Sequence, residues 1–484
     1  MRLYILLLPV CFLLTSCSGG SDPLPPDTSD IKWLVTIGSV GPDTVHGLAF
    51  SESGDIIATG WYSGTVDLDP GPGEKVVQSN GSEDIFLMKF TTSGELVWAT
   101  AWGGPETDCG SQVTVGTDGS IYVTGWCGDA IDFDPGYGID RHDFQGGNDV
   151  FVAKFDDGGN YQWSRQWGGP DFDTGHGIAL SPDGYIYCGW EFFGSVDVDP
   201  GPEVDDRQSN GGLEAGLSKF DTDGNLVDAW TFGGTYGDGS DGLVFDSTGN
   251  LYITGDFAET ADLDPGQGVE EFTSHGERDV FLIKLDSSDN YVWARTWGGA
   301  GTAWDKGNGI ALDHEGNVIT GGFFGGSVDF DYGPGVDIHD SNGEDDAFVC
   351  KHDPSGNLLW ANTWGGPQWD VVIDTFCDGF GNVYATGFYR DSIDIDPGSH
   401  QKITTSSGAG DFYISAFNSS GEMFYSMAAG GLGWDKGWDV IADDSGNIYV
   451  AGGFEKTVVF DQVYGSHIRS SVGDADIFIV CLSP

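Results

Sequence analysis

Basic residues are scarce: 19 Lys and Arg stand against 76 Asp and Glu, a formal charge of −57 over 484 residues. Nucleic-acid phosphates are bound by Lys and Arg neutralisation, so no nucleic-acid partner is expected. Docking on anionic lipid headgroups is disfavoured for the same reason. After residue 14 no apolar run approaches transmembrane length. The 8 cysteines form no CxxC or zinc spacing, and neither GxSxG nor HExxH occurs. Disorder is excluded too. Gly and Pro supply 98 residues, about a fifth, below the low-complexity range, and 13% aromatic content provides a core.

The first thirty residues read as an address. Arg2 precedes an apolar run, Leu3 to Leu14, that fits a signal-peptide core and is too short to span a bilayer. LTSC (14–17) resembles the lipobox of bacterial lipoproteins. That resemblance implies removal of residues 1–16, diacylglycerol on the sulfur of Cys17, and acylation of its new amino terminus. Several acyl chains at about 0.8 kcal/mol per methylene hold a protein firmly on a bacterial membrane. Ser18 stands where an inner-membrane retention Asp would be, so an outer-membrane lipoprotein is expected, facing either the periplasm or the surface. Residues 17–30 form a lipidated Gly/Ser/Pro tether.

Everything after residue 30 is self-similar. VDLDPG (66–71), IDFDPG (131–136), VDVDPG (196–201), ADLDPG (261–266), VDFDYGPG (328–335), IDIDPG (393–398) and VVFDQV (458–463) recur every 65 residues, with one two-residue insertion. IYVTG (121–125), DVFVAKF (149–155) and YQWSRQWGG (161–169) exemplify three tracks with the same step. Each is a short β-branched and aromatic run, hence a strand, and turns such as STGN (247–250) separate them. A fourth strand, HGIAL (176–180) in one repeat, precedes each IYVTG track. Four antiparallel strands repeated radially make a β-propeller. The chain stops after a third strand, DIFIVCL (476–482), and opens with an orphan fourth, IKWLVTIG (31–38). Residues 31–484 are therefore expected to form an all-β, seven-bladed β-propeller of four-stranded antiparallel blades, closed by the N-terminal strand completing the last blade.

The pattern GG…D…GIA.D..GN.YVTG…D.FV.K.D..G…W, seen in residues 168–180, 247–255 and 279–293, resembles the bacterial β-propeller repeat often abbreviated SBBP. The resemblance covers essentially residues 31–482 and implies an exported propeller without an assigned activity; it brings no catalytic residues. With HGIAL-type strands innermost, the DxDPG loops of about twenty residues share one face with the inter-sheet connections. The short turns and the tether occupy the other. The long-loop face is then expected to point away from the membrane and to carry binding.

Acidic residues stand in columns. The inter-sheet connection carries Asp43, Asp108, Asp173, Asp238, Asp305, Asp370 and Asp435. The third strand opens with Asp84, Asp149, Glu214, Asp279, Asp346, Asp411 and Asp476. The DxDPG pairs are Asp67 and Asp69, Asp132 and Asp134, Asp197 and Asp199, Asp262 and Asp264, Asp329 and Asp331, and Asp394 and Asp396; Val459 breaks the seventh, leaving Asp461. Residues i and i+2 of an extended segment point the same way, so each pair presents two carboxylates to a calcium ion. The alternative is that these Asp residues accept local backbone hydrogen bonds, and recurrence in every unit favours such a scaffold role.

Phe172, Trp304, Trp369 and Trp434 immediately precede inter-sheet Asp residues, where they either stack on sugar rings or wedge between blades. Cys109 and Cys127 lie at nearby ends of paired strands, so a disulfide is plausible in an exported chain. His46, His176 and His275 follow no shared column. SGNLLW (355–360) resembles the docking repeat of quinoprotein propellers, but the rest departs from that pattern. Two functional classes stand: a membrane-anchored binding scaffold for a glycan or an envelope or secreted protein, which is favoured, and a polysaccharide-active lipoprotein enzyme with a rim active site.

Overall fold

The computed structural model describes residues 30–301, 304–398, 400–461 and 466–483; the signal segment, Cys17 and the tether through residue 29 lie outside them. The described fold is all-β. In the first repeat Thr44–Phe50, Ile56–Asp67, Val76–Phe90 and Leu96–Trp102 pair in chain order, each antiparallel to the next. The turns follow from local chemistry. Ser51 O accepts Gly54 N–H at 2.9 Å, Ser51 Oγ accepts Asp55 N–H at 3.0 Å, and Gly54 takes φ +83°. Ile56–Gly60 is buried at every position, because other sheets cover both of its faces.

The amino-terminal strand Asp30–Ile37 pairs antiparallel with Ser466–Ser483, from Asp30 opposite Ser483 to Ile37 opposite Ile477. It thereby joins Asp435–Ala442 and Ile448–Asp461 as the fourth strand of the seventh repeat. Asp30 sits at the short-turn end of that sheet. Trp33 repeats what later tryptophans do. Its indole N–H donates to Thr92 O at 2.9 Å in the first repeat, as Trp98 donates to Asp157 O (3.0 Å) and Trp163 to Thr222 O (3.1 Å). Gly94 lies under the Trp33 indole at φ +81°, where a Cβ would come within 2.8 Å of the ring. The first strands of successive repeats pack side by side, and Asp435–Ala442 lies against Thr44–Phe50. Apolar clusters fill the spaces between sheets. One joins Tyr449 and Ile477 of the seventh repeat to Val45, Tyr62 and Phe86 of the first, each contributing about 1.5–3 kcal/mol on burial.

Two expectations need correction. The DxDPG stretch is not an open loop of about twenty residues: in the first, third and fifth repeats the second and third strands run on as a ladder, with Asp67 opposite Val76, Asp197 opposite Asp206 and Asp329 opposite Ile338. In the fourth and sixth the ladder is a separate short hairpin, Thr260–Asp262 with Glu271–Thr273 and Ser392–Asp394 with Ile403–Thr405. Nor are the sheets all separate and four-stranded. The hairpin of one repeat pairs with the GG ending the previous one, as in Gly233 opposite Asp262 and Gly430 opposite Val459, so sheets of six and eight strands result.

Candidate functional site

The recurring carboxylates are engaged by their own backbone. Asp67 Oδ1 accepts the amides of Asp69 (3.1 Å) and Lys75 (2.8 Å), and Asp69 Oδ1 accepts that of Gly71 (2.7 Å). Asp132 with Asp134, Asp197 with Asp199, Asp262 with Asp264, Asp329 with Asp331 and Asp394 with Asp396 repeat these three bonds. The residues alternating with them, such as Val66 and Leu68 or Ile131 and Phe133, are buried, which turns the acids outward. Among the described residues no three or more His, Cys, Asp or Glu side chains come together to hold a metal. These bonds close the hairpin tip, the scaffold role that the alternation also allows.

The inter-sheet Asp residues are fully buried staples. Asp108 accepts the amides of Gly104 (2.6 Å) and Gly128 (3.1 Å), and Asp305 those of Gly299 and Gly325 (both 2.7 Å). Asp108, Asp173 and Asp305 each face an acid of the third-strand column across the first Gly of GG. A Cβ at Gly103 would stand 2.5 Å from Asp84 Cγ and 2.8 Å from Asp108 Oδ2. Burial pushes Asp84 up to about 6 and Asp108 up to about 8.

The rim aromatics are exposed, Phe172 by 65%, Trp304 by 51% and Trp369 by 49%. Arg278 lies 4.9 Å from the Trp304 ring. Trp434 meets Phe388 edge-on at 5.5 Å. Cys109 and Cys127 are both buried free thiols. Cys109 stands opposite Trp126 and Cys127 opposite Asp108, so the two sulfurs leave opposite faces of the sheet and the expected disulfide does not form.

The feature that sequence reasoning passed over is central. A cavity of about 800 Å³ is lined by the first strands of all seven repeats. Counting three residues from each inter-sheet Asp gives His46, Ser111, His176, Asp241, Asn308, Ile373 and Trp438, every one on its wall. His46 and His176 therefore do share a column, and only His275 stands apart, beside Asp279. The Asp three residues before this column is the same in all seven repeats while the column is not, and that contrast is readable once the strands are aligned on Asp.

The wall divides in two. In the sixth, seventh, first and second repeats it is aromatic: Phe388, Trp438, His46, Trp61 and Trp126. His46 stacks on Trp438 with centroids 4.5 Å apart and meets Trp61 edge-on at 5.8 Å. Burial, with Lys436 nearby, lowers His46 to about 4, so its ring is neutral. In the third, fourth and fifth repeats it is charged. Lys306 Nζ lies 3.0 Å from Asp241 and 3.5 Å from Asp256, His176 lies 3.1 Å from Glu191, and Arg278 pairs with Asp256. Burial opposes charge on Lys306 and on His176, but the facing carboxylates outweigh it and raise both. Burial likewise works against Glu191, yet His176 holds it down to about 2. Within the aromatic half two acids also line the wall: Asp439 accepts Leu48 N–H (3.0 Å) and Gln112 (3.2 Å), and burial and the neighbouring carboxyl raise Asp374.

No family model matches the chain. The regulatory protein FlaEY of Caulobacter vibrioides is 30% identical over 149 residues, 30% of this chain and 15% of that protein. An uncharacterized WD repeat-containing protein of Acanthamoeba polyphaga mimivirus is 21% identical over 443 residues, 75% of this chain and 32% of that protein. The matched stretches thus span a third or less of either relative. Among solved structures, the PQQ domain of pyranose dehydrogenase from Coprinopsis cinerea aligns over 95% of this chain and 98% of its own, at 11% identity and a TM-score of 0.38.

Proposed function

We propose that this chain is an exported bacterial lipoprotein, anchored through Cys17, whose repeats close into a seven-bladed β-propeller of the SBBP-like kind that binds a ligand at its centre. Closure is supported by the pairing of Asp30–Ile37 with Ser466–Ser483, by Trp33 docking on the first repeat, and by one cavity touching all seven first strands. The observation that carries the binding role is the unlike column from His46 to Trp438 inside an otherwise repeating frame. A scaffold needs no such variation; a ligand does, because it meets each wall with a different group. The ligand classes are a glycan and an envelope protein. Thermal-shift screening tests the reading, with neutral and acidic glycans, aromatic dipeptides and quaternary ammonium ions as probes. A probe that raises the melting temperature should lose its effect in Trp438→Ala and keep it in Trp369→Ala. No shift with any probe, or loss confined to the rim variant, overturns it.

A further inference from the structure

Resting on the central mouth as ligand seat, we infer that its ligand is an uncharged saccharide whose ring lies on the aromatic half while its hydroxyls meet the charged half. The two halves are contiguous around the wall, so a ligand filling the mouth has an apolar face toward Trp438, His46 and Trp61 and polar groups toward Asp241, Lys306 and Asn308. Pyranose rings have that division: C–H groups stack on indole, and hydroxyls ring the edge. The Lys306–Asp241 pair sets a donor and an acceptor 3.0 Å apart, which matches two adjacent hydroxyls that each donate and accept. Asp241 Oδ2, His46 Nε2 and Trp61 Nε1, on residues that line the cavity, are buried without protein partners.

Charged ligands fit worse. A cation seeking the aromatic half has Lys436 beside it, whose ammonium already stands 5.1 Å from the Trp434 ring, 5.2 Å from Phe388 and 5.3 Å from Trp438, while the two acids on that wall are engaged, Asp439 by Leu48 N–H and Gln112 and Asp374 by Val440 N–H at 3.2 Å. An anion meets Asp241 on the wall, in a chain of formal charge −57. On the charged half each cation is already matched by a carboxylate, so no net charge is left to recruit an ion. Hydroxyl groups, which bridge donors and acceptors without requiring either sign, remain.

The test uses the full chain on a printed array of neutral, uronate-bearing and sialylated glycans, followed by tryptophan-fluorescence titration of the hits. Tetramethylammonium and Tyr-containing dipeptides are titrated in parallel. Neutral glycans should bind, and Asp241→Asn and Trp438→Ala should each weaken them by about tenfold or more in protein whose melting curve shows it folded at the assay temperature. Asp241→Asn keeps the side chain's shape and carries the test alone if Trp438→Ala melts early. Binding of the ammonium ion or the peptides, abolished by Trp438→Ala while neutral glycans fail, overturns the saccharide inference and leaves the mouth as ligand seat. Neutral glycans that bind both variants as well as the parent also overturn it. No binding by any probe overturns both readings.

Discussion

Acidification from about pH 8.5 to about pH 5.5 should stabilise this protein. The inter-sheet Asp residues are held up between about 6 (Asp43) and about 8 (Asp108, Asp173, Asp370), primarily by burial. Their third-strand partners Asp84, Asp149 and Asp411 stand at about 6. A carboxyl raised in the fold binds its proton more tightly folded than unfolded. Its contribution is therefore present at low pH and is lost as pH rises through the folded value. Each net proton taken up on folding is worth about 1.4 kcal/mol per pH unit, or about 4 kcal/mol over this window. Unfolding entropy of about 2 cal/mol/K per residue over roughly 450 residues makes 1 kcal/mol about one degree, so one proton raises the melting temperature about 4 °C. His46 and His352, lowered to about 4 and about 3 by burial, work the other way and cost about 3 kcal/mol together at the acid end. Two net protons from the carboxyl pairs already exceed that, giving a rise of about 5 °C or more. Turn residues such as Asp246 and Asp443, whose pKa values are lowered in the fold, lose their contribution only below the window. Calorimetry in about 0.5 M salt separates this from surface repulsion among 76 acids, because salt screens exposed charges and not buried ones. Asp108→Asn should flatten the slope by up to one proton. A melting temperature that is unchanged or lower at pH 5.5 in high salt would refute the reasoning.

Gly103→Ala drives a Cβ into Asp84 and Asp108 and should cost about 3 kcal/mol, read as a fall in melting temperature at neutral pH. Trp33→Ala removes the indole bridging the amino-terminal strand to Thr92 and should cost about 3–5 kcal/mol, with faster proteolysis within Asp30–Ile37. Cys109 and Cys127 should both be alkylated by iodoacetamide in denaturant without reductant; a linked peptide in the mass spectrum would contradict their placement on opposite faces. Cys17→Ser should abolish palmitate incorporation and release the protein from the membrane fraction.

The frame was legible in the sequence because every repeat solves the same packing problem with the same residues. Trp33 lies 65 residues before Trp98, and the two indoles make the same bond to the neighbouring sheet. The DxDPG acids were legible as a pattern but not as a purpose. Alternation fixes that Asp67 and Asp69 point one way, and cannot distinguish a cation from the amides of Lys75 and Gly71. The Cys109–Cys127 pairing failed for a related reason. Nearness along paired strands was read without register, and a one-residue offset reverses the face.

The cavity was missed because repetition drew attention to what recurs. His46 and His176 lie 130 residues apart, twice the repeat, yet the residues between them in the same column are Ser111 and, beyond, Asp241, Asn308, Ile373 and Trp438. A motif scan discards such a column as noise. The reverse holds here: shared residues staple neighbouring sheets to one another, and the column free of that duty places seven unlike side chains on the wall of one cavity. The Gly that follows this column in four repeats, Gly47, Gly177, Gly242 and Gly309, is replaced by Gln112, Asp374 and Asp439 in the other three, two of which bond across to each other or to Leu48. Asymmetry of that kind sets these positions apart from the inter-sheet Asp residues that every repeat shares.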